Sequence, residues 1–352
     1  MSLSGSPRYL IIRRDNIGDL VCTTPFIASL RARHPDAYIA ALVNSYNRAI
    51  LDGNTDVDEV FAYTKVKHRD AGQTFLGVMA ARIRMFVHLR RTRIDVAILA
   101  APGFQARSLR LARLAGARQV LGFVDREGQG AIELAVPVTE IRELHEAEAV
   151  FQLGAPLGIK GEPPLLQVVP DRELRARMEN SIRLHFAARG GPVIGLHISA
   201  RKPSQRWPAE RFVLLAKMLS LEYGARILLF WSPGAGGNAL HPGDDEKANE
   251  IIEACGKECL LAIPTTHLAD LIASMSACDM VVCADGGAMH IAAALQKPIV
   301  CMFGDSSPSR WHPWSTPYEL LQPDSRNVLD LDVELVKKSV LKLMNLNGLG
   351  TP

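Results

Sequence analysis

Asp285, Gly286, Gly287 and His290 stand close together in the chain, and their types suit the binding of an anion. The run Met280–Val282 before them reads as a buried strand, and Ile291–Leu295 after them reads as a helix. Asp-Gly-Gly therefore occupies a strand-to-helix turn. Glycines there let a ligand approach the backbone, and the first N–H groups of a helix have no partner within it. The partial positive charge of the helix start favours a phosphate. The N–H groups of Gly286, Gly287, Ala288 and Met289, with the His290 ring, form a candidate cradle for a diphosphate. The competing reading is structural: such a turn also packs a helix tightly, and a histidine beside an apolar helix often belongs to the core.

A second turn of the same kind lies near the start. Tyr9–Arg13 reads as a strand, Arg14-Asp15-Asn16-Ile17-Gly18-Asp19 as a tight turn, and Leu20–Arg33 as an apolar helix. Gly18 allows the turn, and Asp19 places a carboxylate at the helix start. Asp19 is either a first-turn acid that complements the helix dipole, worth about 0.3–1 kcal/mol, or a base. A third polar segment, Ser199 to Arg206, carries Ser199, Arg201, Lys202 and Arg206 and follows another apolar run.

These segments need a rigid frame, and the apolar pattern supplies one. Strand candidates in the first half are Tyr9–Arg13, Tyr38–Val43, Glu59–Ala62, Val96–Leu99 and Gln119–Gly122, with helices such as Gly77–Arg91 and Ala106–Ala115 between them. A Pro/Gly-rich zone from Pro156 to Pro170 reads as a linker. After a helix from Arg172 to Ala188 the plan restarts with Val193–His197, Ile227–Trp231, Leu260–Ile263, Met280–Val282 and Ile299–Phe303. Strands alternating with helices predict an α/β protein with parallel sheets covered on both faces. The expected domains are residues 1–170 and 171–330, followed by a C-terminal piece, 331–352, with a helix over Val333–Leu346. Ligands of such sheets bind beyond the strand C-termini. That is where Asp19, the 199–206 and 232–243 loops, and Asp285–His290 fall.

Composition narrows the class. With 352 residues, 48% hydrophobic content and a net charge of +3, the chain suits two ordinary α/β domains. No apolar run reaches the roughly 18 residues of a membrane span, and the first residues lack a signal-peptide pattern. A cytoplasmic location is expected, where the six cysteines would stay reduced. Cys255 and Cys259 have no second pair nearby, which argues against zinc. Between residues 80 and 120 nine arginines face one acid, Asp95. This stretch is either a solvated surface or a patch for a phosphorylated acceptor or an anionic membrane surface. Nucleic acid is not expected, since the net charge is small and aromatics are sparse there.

Three segments together resemble glycosyltransferase family 9, the heptosyltransferases of the lipopolysaccharide inner core. The first is Gly18-Asp19 with Pro25 after the opening strand. The second is Arg206-Trp207-Pro208, and the third is Asp285-x-Gly287-x-x-His290-x-x-Ala293-Ala294-Leu295. The resemblance implies a GT-B architecture, two doubly wound Rossmann-like domains facing a central cleft, with the helix Val333–Leu346 packing back on the first domain. It implies an inverting transferase that moves a sugar, expected to be heptose, from ADP-heptose to a phosphorylated glycolipid or core oligosaccharide. In that scheme Asp19 is the base. Asp285 holds sugar hydroxyls or orients His290, while Ser199, Arg201, Lys202 and Arg206 join the phosphate cradle. The 232–243 loop is a candidate for base and ribose contacts. One departure stands out, because Gln205 occupies the position where relatives carry a lysine. No metal or other cofactor is expected, and Asp56-Val57-Asp58 and Asp330-Leu331-Asp332 read as turn acids rather than manganese ligands. Two alternatives keep the fold: a nucleotide-sugar epimerase, and a non-catalytic nucleotide-sugar binder. A dinucleotide oxidoreductase is disfavoured, since no G-x-G-x-x-G follows the first strand.

Overall fold

Apolar runs four to seven residues long form the strands, and the amphipathic stretches between them form helices that cover both sheet faces. The computed structural model describes residues 6–63, 75–125, 130–187, 189–237 and 243–349. The chain divides into two units, Met1–Gln167 and Val168–Pro352.

The first unit runs β1 (Arg8–Ile12), α1 (Ile17–Val21), α2 (Thr24–Arg33), β2 (Tyr38–Asn44), β3 (Glu59–Tyr63), α3 (Phe75–Thr92), β4 (Val96–Leu99), α4 (Ala106–Leu114), β5 (Gln119–Val124), β6 (Leu134–Pro137) and α5 (Glu146–Phe151). Its six strands are parallel in the order β3-β2-β1-β4-β5-β6. Strand order reverses between β1 and β4, which pair Tyr9 with Val96 through to Ile12 with Leu99. On one face Leu10, Ile12, Leu42 and Leu99 pack with Leu89 of α3 and Leu111 of α4.

The second unit runs α6 (Arg172–Phe186), β7 (Val193–His197), α7 (Ala209–Tyr223), β8 (Arg226–Trp231), α8 (Asp245–Cys255), β9 (Leu260–Pro264), α9 (Leu268–Ser276), β10 (Met280–Ala284), α10 (Gly287–Ala294), β11 (Ile299–Met302), α11 (Pro308–Trp311), β12 (Tyr318–Leu321) and α12 (Val333–Leu346). Its strands are also all parallel, in the order β12-β11-β10-β7-β8-β9. Here the order reverses between β7 and β10. Each unit is thus doubly wound, with a topological switch point at which such sheets bind ligands.

Three expectations change. The opening helix is split into α1 and α2, because Pro25 lies in the first turn of α2 and cannot continue the hydrogen-bond ladder of α1. Helix α10 starts at Gly287 rather than Ile291, so the glycine pair is part of the helix start itself. Two edge strands, β6 and β12, join the sheets; each is four residues long, and β6 buries only Val136 while β12 buries none of its residues. The C-terminal helix α12 packs within the second unit. Val336, Val340, Leu343 and Met344 of α12 join the core that also holds Trp207 and Leu331. Trp207 secures the approach to this helix: its indole N–H donates to the Leu331 carbonyl at 3.0 Å.

Candidate active site

At the switch point of the first sheet, β1 delivers Arg13 into the interior. Its side chain is only 1% exposed, and a buried guanidinium must find acceptors for its fork of N–H donors. Nη1 donates to the carbonyl of Ala100, just past β4. Nη2 donates to Asp19 Oδ1 at 3.0 Å and to Glu146 Oε1 at 2.6 Å, and Nε lies 3.2 Å from Asp15 Oδ2. Burial opposes the charge on Arg13, but Glu146, Asp19 and Asp15 outweigh it and raise its proton affinity. Arg13 therefore stays cationic. Burial raises the proton affinity of Asp15, with Asp19 adding to the rise and Arg13 opposing it.

Asp19 is held from both sides. Its second oxygen, Oδ2, accepts from the Asn16 backbone N–H at 2.7 Å and from Asn16 Nδ2 at 2.8 Å. This makes Asp19 the third residue of a capping box on α1, which is the structural role weighed from sequence. The same bonds fix the carboxylate at the carboxyl end of β1, the end at which such sheets bind ligands. Capping and positioning are here one arrangement. Sequence reading missed Arg13 and Glu146, which sits 133 residues from Arg13. The detectable signal was a charged residue ending an apolar strand, Ile11-Ile12-Arg13.

In the second unit the switch point is bridged by a side chain. Gln205, 5% exposed, donates from Nε2 to Asp285 Oδ2 at 2.7 Å and to Ser306 Oγ at 2.9 Å. Loops following β7, β10 and β11 are thereby tied together. The approach is close, since a Cβ on Gly304 would lie 2.4 Å from the Ser204 carbonyl oxygen. Gly286, the N-cap of α10, has φ +157° and ψ −169°, a conformation essentially reserved for glycine. The first N–H groups of α10, from Gly287, Ala288 and Met289, have no acceptor within the helix. The side chain of His290 is buried, at 2% exposure, and meets the Trp311 ring edge-on with centroids 5.8 Å apart. Only a small part of that ring is accessible, so the backbone carries more of the candidate cradle than sequence reading assigned to it.

The three loop cations differ in availability. Lys202 Nζ lies 3.1 Å from Asp305 Oδ1 and donates to Ser306 Oγ at 3.3 Å. Arg206 donates from Nη1 to the Ala200 carbonyl at 2.8 Å and pairs through Nη2 with Asp244, whose carboxylate is buried. Arg201 is exposed and, among the described residues, carries no ion-pair partner. Ser199 is occupied by the main chain, its Oγ accepting from the Ser232 N–H at 2.9 Å. Beneath this loop lie two groups that sequence reading overlooked. Burial and the charge of Lys247 lower the pKa of His197 to about 4. Burial lowers Lys247 to about 8 against the pull of Asp244, with Arg206 adding to the depression. Asp245 braces the 232–243 loop by accepting from Trp231 Nε1 and the Gly234 N–H, each at 2.8 Å. Residues 238–242 of that loop lie outside the described residues.

The arginine-rich stretch does not form one patch. Arg113 pairs with Glu133, Arg118 pairs with Asp95, and Arg90 donates to the Leu114 carbonyl. Arg14 and Arg82 both stack on Tyr63, with guanidinium carbons 4.5 and 4.4 Å from the ring centre. Burial lowers the proton affinity of Arg14, and the nearby charges of Arg107 and Arg82 contribute to the fall. These three arginines gather at the carboxyl ends of the first sheet. Among the described residues no three His, Cys, Asp or Glu side chains gather as a metal site. In the two D-x-D segments, Asp58 Oδ2 accepts from the Ile39 N–H at 2.7 Å, and Asp332 caps α12 by accepting from the Glu334 N–H at 3.1 Å.

Comparison with known proteins adds an independent finding. The model of glycosyltransferase family 9 (heptosyltransferase) matches residues 82–333. Lipopolysaccharide heptosyltransferase 2 of Salmonella typhimurium is 27% identical over 320 residues, 88% of this chain and 86% of that protein. A glycosyl transferase family 9 structure from Veillonella parvula shares the fold with a TM-score of 0.82 at 20% identity, covering 98% of this chain and 99% of that one. The structure of E. coli ADP-heptose lipopolysaccharide heptosyltransferase II does so with a TM-score of 0.78 at 21% identity, covering 97% and 99%.

Proposed function

Because this chain belongs to glycosyltransferase family 9 and is a glycosyltransferase of the GT-B fold, we propose that it moves heptose from ADP-heptose to a lipopolysaccharide core acceptor with inversion. The observation that carries this reading is the content of the two switch points. One holds an immobilised carboxylate, Asp19, and the other holds a helix start with Asp285 tied to it through Gln205. ADP-heptose is the donor with which the E. coli neighbour is named.

In the proposed reaction Asp19 takes the proton of the acceptor hydroxyl. That oxygen bonds to the anomeric carbon as the bond from the carbon to the diphosphate oxygen breaks, and ADP leaves. Arg13 and Asn16 hold Asp19 in the orientation the proton transfer needs. The helix-start N–H groups of Gly287, Ala288 and Met289 meet the negative charge that builds on the departing diphosphate. Arg201, with its charge uncommitted among the described residues, supports the same phosphates, and Lys202 and Arg206 shape the loop beside them. Asp285 receives donor-sugar hydroxyls. Fixed dipoles and cations take the electrostatic part a metal would play, so the reaction is metal-independent. Arg14, Arg82 and Arg107 suit a phosphorylated acceptor, and a glycolipid acceptor would bring a cytoplasmic enzyme to a membrane surface.

Two measurements test this. ADP and ADP-heptose, but not UDP, GDP or NAD, should raise the melting temperature of the protein by a few degrees at saturation. With a core acceptor, ADP should be released one for one with glycosylated product, and EDTA should leave the rate unchanged. Binding of UDP alone would reject the donor, and turnover of donor without acceptor would favour the epimerase.

A further inference from the structure

Helix α3 covers one face of the first sheet, and its outer side is unlike that of an ordinary surface helix. Val78 and Leu89 are buried, and Leu89 packs into the sheet core with Met85 and Phe86 against it. One flank is committed, with His88 beside Glu59 at 3.1 Å and Arg82 on Tyr63. The outward side then carries Met79, Ile83 and Val87, exposed by 37%, 61% and 43%. At about 100° per residue these three positions, i, i+4 and i+8, fall in one stripe down the helix. Arg84, Arg90 and Arg91, all exposed, lie within or beside that stripe, and the helix has no acid from Phe75 to Thr92. Leu114, 49% exposed, adds a further apolar group next to Arg90, which donates to its carbonyl at 2.9 Å. Single exposed apolar side chains are ordinary. A continuous stripe with a rim of one charge sign is not.

We propose that this face of α3 docks the protein on an anionic lipid surface. The apolar stripe would enter the boundary between headgroups and acyl chains, and the arginines would lie against lipid phosphates, the arrangement of an interfacial amphipathic helix. Charge complementarity selects this occupant. A second copy of the chain would bring the same cationic rim against itself, whereas an anionic bilayer offers the opposite sign over its whole area. The proposal extends the reading of a membrane-held acceptor, but it stands on the helix face alone.

Vesicle sedimentation tests it without donor, acceptor or turnover. The wild-type protein should bind phosphatidylcholine vesicles containing about 30% phosphatidylglycerol at least about tenfold better than phosphatidylcholine alone. The double variant Ile83→Ser/Val87→Ser should lose about tenfold of that binding, and Arg84→Gln/Arg91→Gln should lose the preference for the anionic lipid. All four positions are exposed, so circular dichroism and melting temperature should not move, and transfer to a lipid-free core oligosaccharide should be unchanged. Equal binding to both vesicle types would overturn the proposal. So would undiminished binding by Ile83→Ser/Val87→Ser, or a wild-type dimer that this variant dissolves. Failure of the transferase reading would show instead as absent turnover on the lipid-free acceptor, with vesicle binding intact.

Discussion

His197 ends β7 beneath the loop that carries Ser199, Arg201 and Lys202, and it makes that region sensitive to acid. Its pKa falls from about 6.5 in the unfolded chain to about 4 in the fold, because burial and Lys247 both oppose a second positive charge. The only compensation is a hydrogen bond with the Ser199 backbone, and Nδ1 has no partner among the described residues. Between these two values the unfolded state binds the extra proton and the folded state does not, so stability rises with pH. The contribution is fully present above about 6.5, shrinks as pH falls, and is gone below about 4. From about pH 7.5 to about pH 5 the loss from this one ring is about 2 kcal/mol, with a ceiling of about 3 kcal/mol at lower pH. All four tryptophans, Trp207, Trp231, Trp311 and Trp314, lie in the second unit, so urea unfolding followed by tryptophan fluorescence reports on the unit that contains His197. His197→Leu should be somewhat less stable at neutral pH, having lost its bond with Ser199. On going to pH 5 the stability difference should move by about 2 kcal/mol in the variant's favour. A gap that stays constant with pH would mean that the buried ring accepts its proton in the folded state, and the reasoning would be refuted.

Three further outcomes follow from the site. Asp19→Asn should fold, since Arg13 keeps Glu146 and Asp15, and should lower kcat by about 10²–10⁴ with ADP affinity unchanged; calorimetry with ADP beside steady-state kinetics checks both halves. Arg201→Gln should weaken ADP binding by about tenfold with no change in melting temperature, and Lys202→Gln should weaken it less, because Asp305 already draws on that charge. Gln205→Leu should cost about 1–3 kcal/mol of stability by leaving Asp285 and Ser306 without their shared donor, and should weaken ADP-heptose more than ADP. Equal losses for the two ligands would place Asp285 away from the sugar.

The chemistry-bearing turns were legible because each follows a buried strand. A short apolar run such as Met280–Ala284, in a chain where such runs alternate with helical stretches, reads as a buried parallel strand, and an Asp-Gly-Gly after it reads as the turn at its carboxyl end. Local physics also accounts for Asp19, since an acid in a first helical turn satisfies backbone N–H groups three residues apart. The edge strands β6 and β12 were not legible, because each is only four residues long and mostly unburied, too short for a period-2 pattern to stand out. The core that the C-terminal helix joins was not legible either. The helix's apolar stripe shows that it must be covered, and nothing in the stripe identifies the Trp207 core as what covers it.

The sequence by itself determined the class of sheet, the turns at its carboxyl ends and the residue types placed there, all of which depend on neighbours along the chain. Only the tertiary structure decided which of those residues are free to act. Arg206 and Lys202 look like Arg201 in sequence, yet acids 38 and 103 residues away hold the first two. Arg13 became the centre of the first site through Glu146, and Gln205 became a bridge through Asp285 and Ser306. The physical reason is that a charge or amide in a low-dielectric interior takes whatever partner folding brings within about 3 Å, and sequence separation carries no information about that distance.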